Sequence, residues 1–201
     1  MKIFSAPVGV SSRHVHLSLD HVQQLFGTGH KLTPMKALLQ PREFACEESV
    51  TLVSPSGILM KNVRVLGPAR PKSQVELSMS DAEVLSMDVP IRLSGEHQGS
   101  PGIEIVGPYG SVKLEKGVII AARHIHVPLD FARSCGMKDK SEVSVEIPGT
   151  RFSWLHHVNV RTGLRSVTEL HIDTDEANAV GVKSNDLVKV HFARFGGGIA
   201  I

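Results

Sequence analysis

Arg13-His14-Val15-His16-Leu17-Ser18-Leu19-Asp20 returns late in the chain as Arg123-His124-Ile125-His126-Val127-Pro128-Leu129-Asp130. Five of the eight positions are identical, and two more exchange aliphatic residues. Two further echoes follow in the same order. Asn62-Val63-Arg64 has a counterpart in Asn159-Val160-Arg161, and Gln74-Val75-Glu76-Leu77 in Val167-Thr168-Glu169-Leu170-His171. Each of these last two leads into a capped-helix pattern. Three matches in one order indicate an internal duplication. Two similar units facing each other would enclose a site at their junction.

Outward from these repeats, the chain reads as short strands between Gly, Pro and Ser turns. The strands are predicted at 50–54, 58–66, 74–79, 103–106, 112–114, 118–122, 143–147, 158–161, 167–172 and 187–192. Ser56-Gly57 between the first two marks a hairpin. Strands this numerous and closely spaced predict barrels or a sandwich, not a parallel sheet. Helices are few. Leu19, Val22, Leu25 and Phe26 form one apolar face after Ser18, with Gly27 as a stop. Thr33-Pro34 reads as a cap followed by proline at the first helical position. Ser80-Asp81-Ala82-Glu83 reads as a capping box, and Asp173-Thr174-Asp175-Glu176 as the same device with Asp as cap. The fold class is mainly β with short helices.

Composition narrows the function. A chain of 201 residues with 41% hydrophobic content can bury a core in one domain or two small ones. A net charge of +2, with no Lys/Arg run, argues against nucleic acid. The one basic concentration, 61–72, is broken by apolar residues and glycine and reads as a strand with its turn. No apolar run is long enough to span a membrane, and residues 1–10 lack a signal pattern, so a cytoplasmic protein is expected. Cys46 and Cys135 lie outside any C-x-x-C and read as packing thiols. The unusual count is eleven histidines, against one Trp and one Tyr. Histidine is the commonest metal ligand.

In an extended segment, residues i and i+2 share a face. His14 and His16 would then present two imidazoles together, as would His124 and His126. One such pair is unremarkable among eleven histidines; two in matching local sequence point to metal binding. A catalytic zinc site takes three protein ligands and leaves a position open. Glu76 and His171, in corresponding strands, are the candidate third ligands, with a surface carboxylate as the alternative for Glu76. Arg70, in the turn Gly67-Pro68-Ala69-Arg70, could fork onto a phosphate oxyanion or be a solvated turn residue. Arg13 and Arg123 alternate away from the His pairs and suit structural ion pairs. Ser94-Gly95-Glu96-His97-Gln98-Gly99-Ser100-Pro101-Gly102 reads as a turn or a substrate loop without P-loop spacing. His21, His30, His97, His156, His157 and His191 read as non-ligands.

Four motifs then carry a resemblance. Val10-Ser11-Ser12-Arg13-His14-Val15-His16-Leu17 is similar to the opening motif of the PduL-type phosphate acyltransferases, or phosphotransacylases. Gly67-Pro68-Ala69-Arg70 through Gln74-Val75-Glu76 resembles their second motif, Ala122-Arg123-His124-Ile125-His126 their third, and the segment from Glu169 through Asp173-Thr174-Asp175-Glu176 to Ala179 their fourth. The similarity runs from about Val8 to Val190. It implies two small antiparallel β-barrels capped by short helices, a di-zinc site between them, and a homodimer. It implies His14, His16 and Glu76 on one zinc, His124, His126 and His171 on the other, and Arg70 on phosphate. The implied division is 1–46 and 121–191 for one barrel, 47–120 for the other, with a tail at 192–201 that matches no family feature. Many relatives enter bacterial microcompartments through an N-terminal extension. Few residues precede the first motif here, so encapsulation by that route is not expected.

The implied reaction converts acyl-CoA plus phosphate, reversibly, into acyl phosphate plus CoA, with a propanoyl or acetyl group. Zinc would hold the CoA sulfur as thiolate and stabilise charge on the thioester carbonyl. The same ligands would serve a zinc hydrolase such as a thioesterase or phosphatase. A non-catalytic zinc-binding barrel is a third reading, disfavoured by having three candidate ligands per site where structural zinc takes four.

Overall fold

The structure, a computed structural model, describes residues 2–192. The tail assigned to 192–201 lies, beyond Phe192, outside the described residues. In chain order the elements are β1 (Lys2–Ser11), β2 (His14–His16), α1 (Leu19–Phe26), β3 (Pro34–Ala37), β4 (Phe44–Val53), β5 (Leu59–Gly67), β6 (Gln74–Leu77), α2 (Met79–Val84), β7 (Ile91–Arg92) and β8 (Ile103–Val106). They continue as β9 (Ser111–Leu114), β10 (Val118–Ala121), β11 (His124–Pro128), α3 (Leu129–Cys135), β12 (Glu142–Ile147), β13 (Ser153–Gly163), β14 (Glu169–Asp173), α4 (Thr174–Val180) and β15 (Leu187–Phe192). No helix among the described residues is long and apolar enough to cross a membrane.

The chain forms two compact units. One combines the segment ending at Ser11 with the segment starting at Ala122; the other is Ser12–Ala121. The first unit is a closed barrel in the order β1-β14-β11-β13-β12-β15. Period-two alternation drives it: along β12, Val143, Val145 and Ile147 are buried while Glu142, Ser144 and Glu146 face outward. The second unit is a nine-stranded curled sheet, β7-β10-β6-β2-β5-β4-β8-β9 with β3 on β4, around a core that includes Val15, Leu52, Val65, Val75 and Ile105. It is not closed, and neither unit is purely antiparallel. β1–β14 and β11–β13 run parallel in the first, and β2–β5 and β6–β10 in the second.

The first crossing between units falls after Ser11, and not at the 46/47 division that the resemblance implies. The reason is pairing: β2 lies between β5 and β6, and β4 pairs with β5, so residues 12–46 are tied into the second unit. Two local readings also change. Pro34 opens a strand, not a helix; β3 is fully exposed and pairs only with β4, a position where a missing N–H is tolerated. The cap of α2 is Ser78, with Asp81 completing the box, and not Ser80. The ten-residue β1 was not predicted, because Pro7 and Gly9 interrupt its pattern. α1 starts at Ser18 and stops at Gly27 as expected, and the Ser56-Gly57 hairpin turn is present.

Candidate metal centres

In the second unit, β2 is only three residues long. Parallel pairing to β5 on one side and antiparallel pairing to β6 on the other hold it in place. Val15 points into the core with no exposure, which turns His14 and His16 together to the opposite face. The β6 register sets Glu76 directly across from His14, and Gln74 across from His16. The resulting triad is buried. His14 Nε2 lies 3.2 Å from His16 Nε2 and 3.5 Å from Glu76 Oε2, and His16 Nε2 lies 3.8 Å from Glu76 Oε1.

The first unit repeats this construction. β11 lies between parallel β13 and antiparallel β14, Ile125 fills the core, and His171 stands opposite His124. The three ring centroids are 4.8 to 5.0 Å apart. Gly9 of β1 pairs with His171, and a Cβ there would come within 2.5 Å of Glu169 Oε1 and 3.0 Å of His171 Cδ2. A side chain at that position would displace both.

Tautomers support a cation in each cluster. His14 Nδ1 lies 2.9 Å from the Ser12 carbonyl and His124 Nδ1 2.9 Å from the Ala122 carbonyl. A carbonyl only accepts, so each Nδ1 carries the proton and each Nε2 is left as a lone pair. In the second unit that lone pair faces another imidazole nitrogen and a carboxylate. Its distances of 3.2 Å to His16 Nε2 and 3.5 Å to Glu76 Oε2 are close to the roughly 3.4 Å that separates two donors of one ion with ~2.0–2.1 Å bonds. Among the described residues, two groups bring three such donors within 4.8 Å of one another, and they are His14, His16, Glu76 and His124, His126, His171.

The electrostatics run the same way. Burial, then His14 and Arg70, hold the His16 ring far below the usual imidazole range. Burial, then His171, lower His124 to about 3 despite its bond to Ala122, and burial, then His171 and Arg161, lower His126 to about 3. His16, His124 and His126 are therefore neutral at physiological pH, the form that binds metal.

Arg70 is fixed by its backbone N–H, which donates to the Leu17 carbonyl one residue past His16. Its guanidinium reaches Ser94 Oγ at 3.3 Å and Glu43 Oε1 at 3.4 Å. Arg13 pairs with Asp81 at 3.0 Å and Arg123 with Glu176 at 2.9 Å. Both partners are third residues of capped helices, so these arginines are structural, as their alternation suggested. The six histidines read as non-ligands have hydrogen-bond partners outside the two clusters: Ser73, Glu48, Gln74, Ser144, Glu142 and Glu146 for His21, His30, His97, His156, His157 and His191. Burial pushes the Cys46 thiol up to about 11, in keeping with a packing role.

Strand register corrects the internal matching. The sequence aligned Glu76 with Glu169, but Glu76 stands opposite the first histidine of its pair, as His171 does, and Gln74 opposite the second, as Glu169 does. The Asn-Val-Arg echo is displaced by the same two residues: Arg64 faces His14 and Arg161 faces His126. A two-residue slip preserves the strand face, so sequence pattern alone could not detect it. Sequence reasoning passed over Gln74, Ser94, Glu169 and Arg161. The first and third were visible as neighbours two residues before a candidate ligand.

A family model described as phosphate propanoyltransferase matches residues 7–183. The chain belongs to the phosphate propanoyltransferase family. A phosphate propanoyltransferase of Rhodobacter capsulatus is 47% identical over 184 residues, covering 92% of this chain and 85% of the relative. One from Thermotoga maritima is 48% identical over 184 residues, covering 91% and 87%. One from Salmonella typhimurium is 49% identical over 177 residues, covering 87% and 83%. Membership in this family places the chain among acyltransferases.

Proposed function

We propose that this chain interconverts short-chain acyl-CoA plus phosphate with acyl phosphate plus CoA, using two zinc-class ions per chain. His14, His16 and Glu76 would hold one ion, and His124, His126 and His171 the other. The observation that carries this reading is the pair of converging donor triads, built on matching registers in a phosphate propanoyltransferase relative. Zinc, when bound, supplies a Lewis acid for the thioester carbonyl and a soft partner for thiolate sulfur.

The chain's own residues do the rest. A phosphate oxygen attacks the thioester carbonyl, the new C–O bond forms, the C–S bond breaks, and the sulfur leaves with the electron pair. Phosphate is itself the nucleophile, so no acyl-enzyme is required. Arg70 forks onto the phosphate and keeps the anion in attack geometry, from a backbone position anchored to Leu17. The carbonyls of Ser12 and Ala122 hold two rings in the tautomer that presents the Nε2 lone pair to the cluster.

The test mixes purified protein with propanoyl-CoA and acetyl-CoA and follows free thiol with and without phosphate, trapping acyl phosphate with hydroxylamine. Thiol release that needs phosphate and yields a trappable product is expected. Release at the same rate without phosphate would make the protein a thioesterase and overturn the proposal.

A further inference from the structure

Glu76 offers its two oxygens to different surroundings. Oε2 faces His14 Nε2 at 3.5 Å, and Oε1 lies farther from the rings, 3.8 Å from His16 Nε2. Oε1 accepts from Gln74 Nε2 at 2.5 Å and from Ser94 Oγ at 2.9 Å. Gln74 is 2% exposed, and all its polar atoms are used: Nε2 also donates to Ser94 Oγ at 2.9 Å, while Oε1 accepts from the Gly95 N–H at 2.7 Å and from His97 Nε2 at 2.8 Å. This network fixes the amide's orientation. Turned over, it would set oxygen against the carboxylate and NH2 against the Gly95 N–H.

The corresponding residue in the other unit is Glu169, whose Oε2 lies 2.7 Å from His171 Nε2. Each unit thus places, two residues before its third donor, a group of complementary polarity: an amide donor behind a carboxylate, and a carboxylate acceptor behind an imidazole. Partners behind a ligand set its orientation and basicity.

We infer that Gln74 and Ser94 are positioning residues that clamp Glu76 Oε1, so that the carboxylate meets a metal through Oε2 alone. The inference rests on the metal reading above. Gln74 also seats the turn beginning at Ser94 against the ligand strand, and Ser94 links Glu76 to Arg70 through its 3.3 Å contact. The clamp therefore joins the carboxylate and the phosphate-binding arginine into one unit.

The experiment measures zinc affinity by chelator competition in the full chain, with the His124-His126-His171 site as internal reference. Cobalt-substituted protein gives a second readout through its visible absorption. Gln74→Met keeps the volume and removes every hydrogen bond; it should weaken the Glu76 site about 10- to 100-fold and leave the reference site unchanged. Its cobalt band should change shape as Oε1, held by Ser94 and no longer by Gln74, can also turn toward the ion. Gln74→Glu keeps the acceptor and loses the donor, so it should fare no better. Ser94→Ala, in an open turn, should show a smaller loss of the same kind. Wild-type affinity and spectrum in all three, or equal losses at both sites, would overturn the clamp. A wild type that takes no ion at this site, or a Glu76→Ala variant that keeps it, would instead defeat the metal reading.

Discussion

The two donor triads stand on matching strands in matching registers, yet one is two imidazoles and a buried carboxylate and the other is three imidazoles, two of them only partly buried. The difference is a relocation of charge. In the Ser12–Ala121 unit the carboxylate, Glu76, belongs to the triad and a neutral amide, Gln74, stands behind it. In the barrel unit the triad is three imidazoles and the carboxylate, Glu169, stands behind. Each has a guanidinium in range: Arg70 acts on His16, and Arg161 on His124 and His126. Similar net charge with different first contacts suits two ions of unlike electrophilicity. An ion held by three imidazoles would keep more of its charge for an anionic or carbonyl oxygen, while one bonded to a carboxylate would be a weaker Lewis acid and better suited to a thiolate sulfur.

The largest expected effect comes from removing a third donor. Glu76→Ala and His171→Ala should each release one ion and leave the other, and each should cut turnover by roughly a thousandfold, since a Lewis acid contributes several kcal/mol to the transition state. Metal analysis beside steady-state rates checks this. Loss of both ions from either variant would mean the triads are not independent.

Next in size is Arg70→Ala. It removes a charge-assisted contact of roughly 1.5–3 kcal/mol, so the phosphate kcat/KM should fall about ten- to a hundredfold with metal content intact. Arg70→Lys keeps charge without the fork and should recover only part of the loss. Unchanged phosphate saturation in Arg70→Ala would remove this residue from the reaction.

The two His-x-His pairs were legible in the sequence because a strand's period of two displays i and i+2 together, and their repetition made that pattern specific; Glu76 and His171 were legible only as candidates in corresponding strands, and Arg70 only as a turn arginine with two readings. Helix α1 was legible for a similar reason: Ser18 and Gly27 are local signals that need no tertiary context. Register was not legible. Nothing local distinguishes Glu76 opposite His14 from Glu76 two residues away, and only pairing with β2 decides it. The first crossing between units was hidden for the same reason, since β2 is three residues whose place depends wholly on β5 and β6. Gln74 and Ser94 were hidden because their role lies in whom they touch, and Ser94 is far from Glu76 in sequence.

Gly9→Ala tests the barrel site alone. Its Cβ would crowd Glu169 and His171, so zinc affinity there should fall about tenfold, the lower end of the range for partners behind a ligand. The Glu76 site should not change. Equal weakening of both sites would show a general loss of fold.

A separate test is the pH dependence of the metal-free protein's stability. His124 and His126 sit near 3 when folded and near 6.5 when unfolded. Between those values the unfolded chain binds more protons, so stability is fully present above about pH 6.5 and is lost as pH falls toward 3. His16 acts in the same direction. The slope should approach, and not exceed, about 1.4 kcal/mol per pH unit for each group. Urea melts of chelator-treated protein between pH 4 and 8 measure it, and replacing both His124 and His126 with Gln should flatten the curve.

The central claim is that each unit holds its own ion. Elemental analysis of three purified proteins tests it most directly: wild type, His14→Ala with His16→Ala, and His124→Ala with His126→Ala. The account predicts about two ions per chain in the first and about one in each of the others. One ion in the wild type, or unchanged content in either double variant, would contradict it.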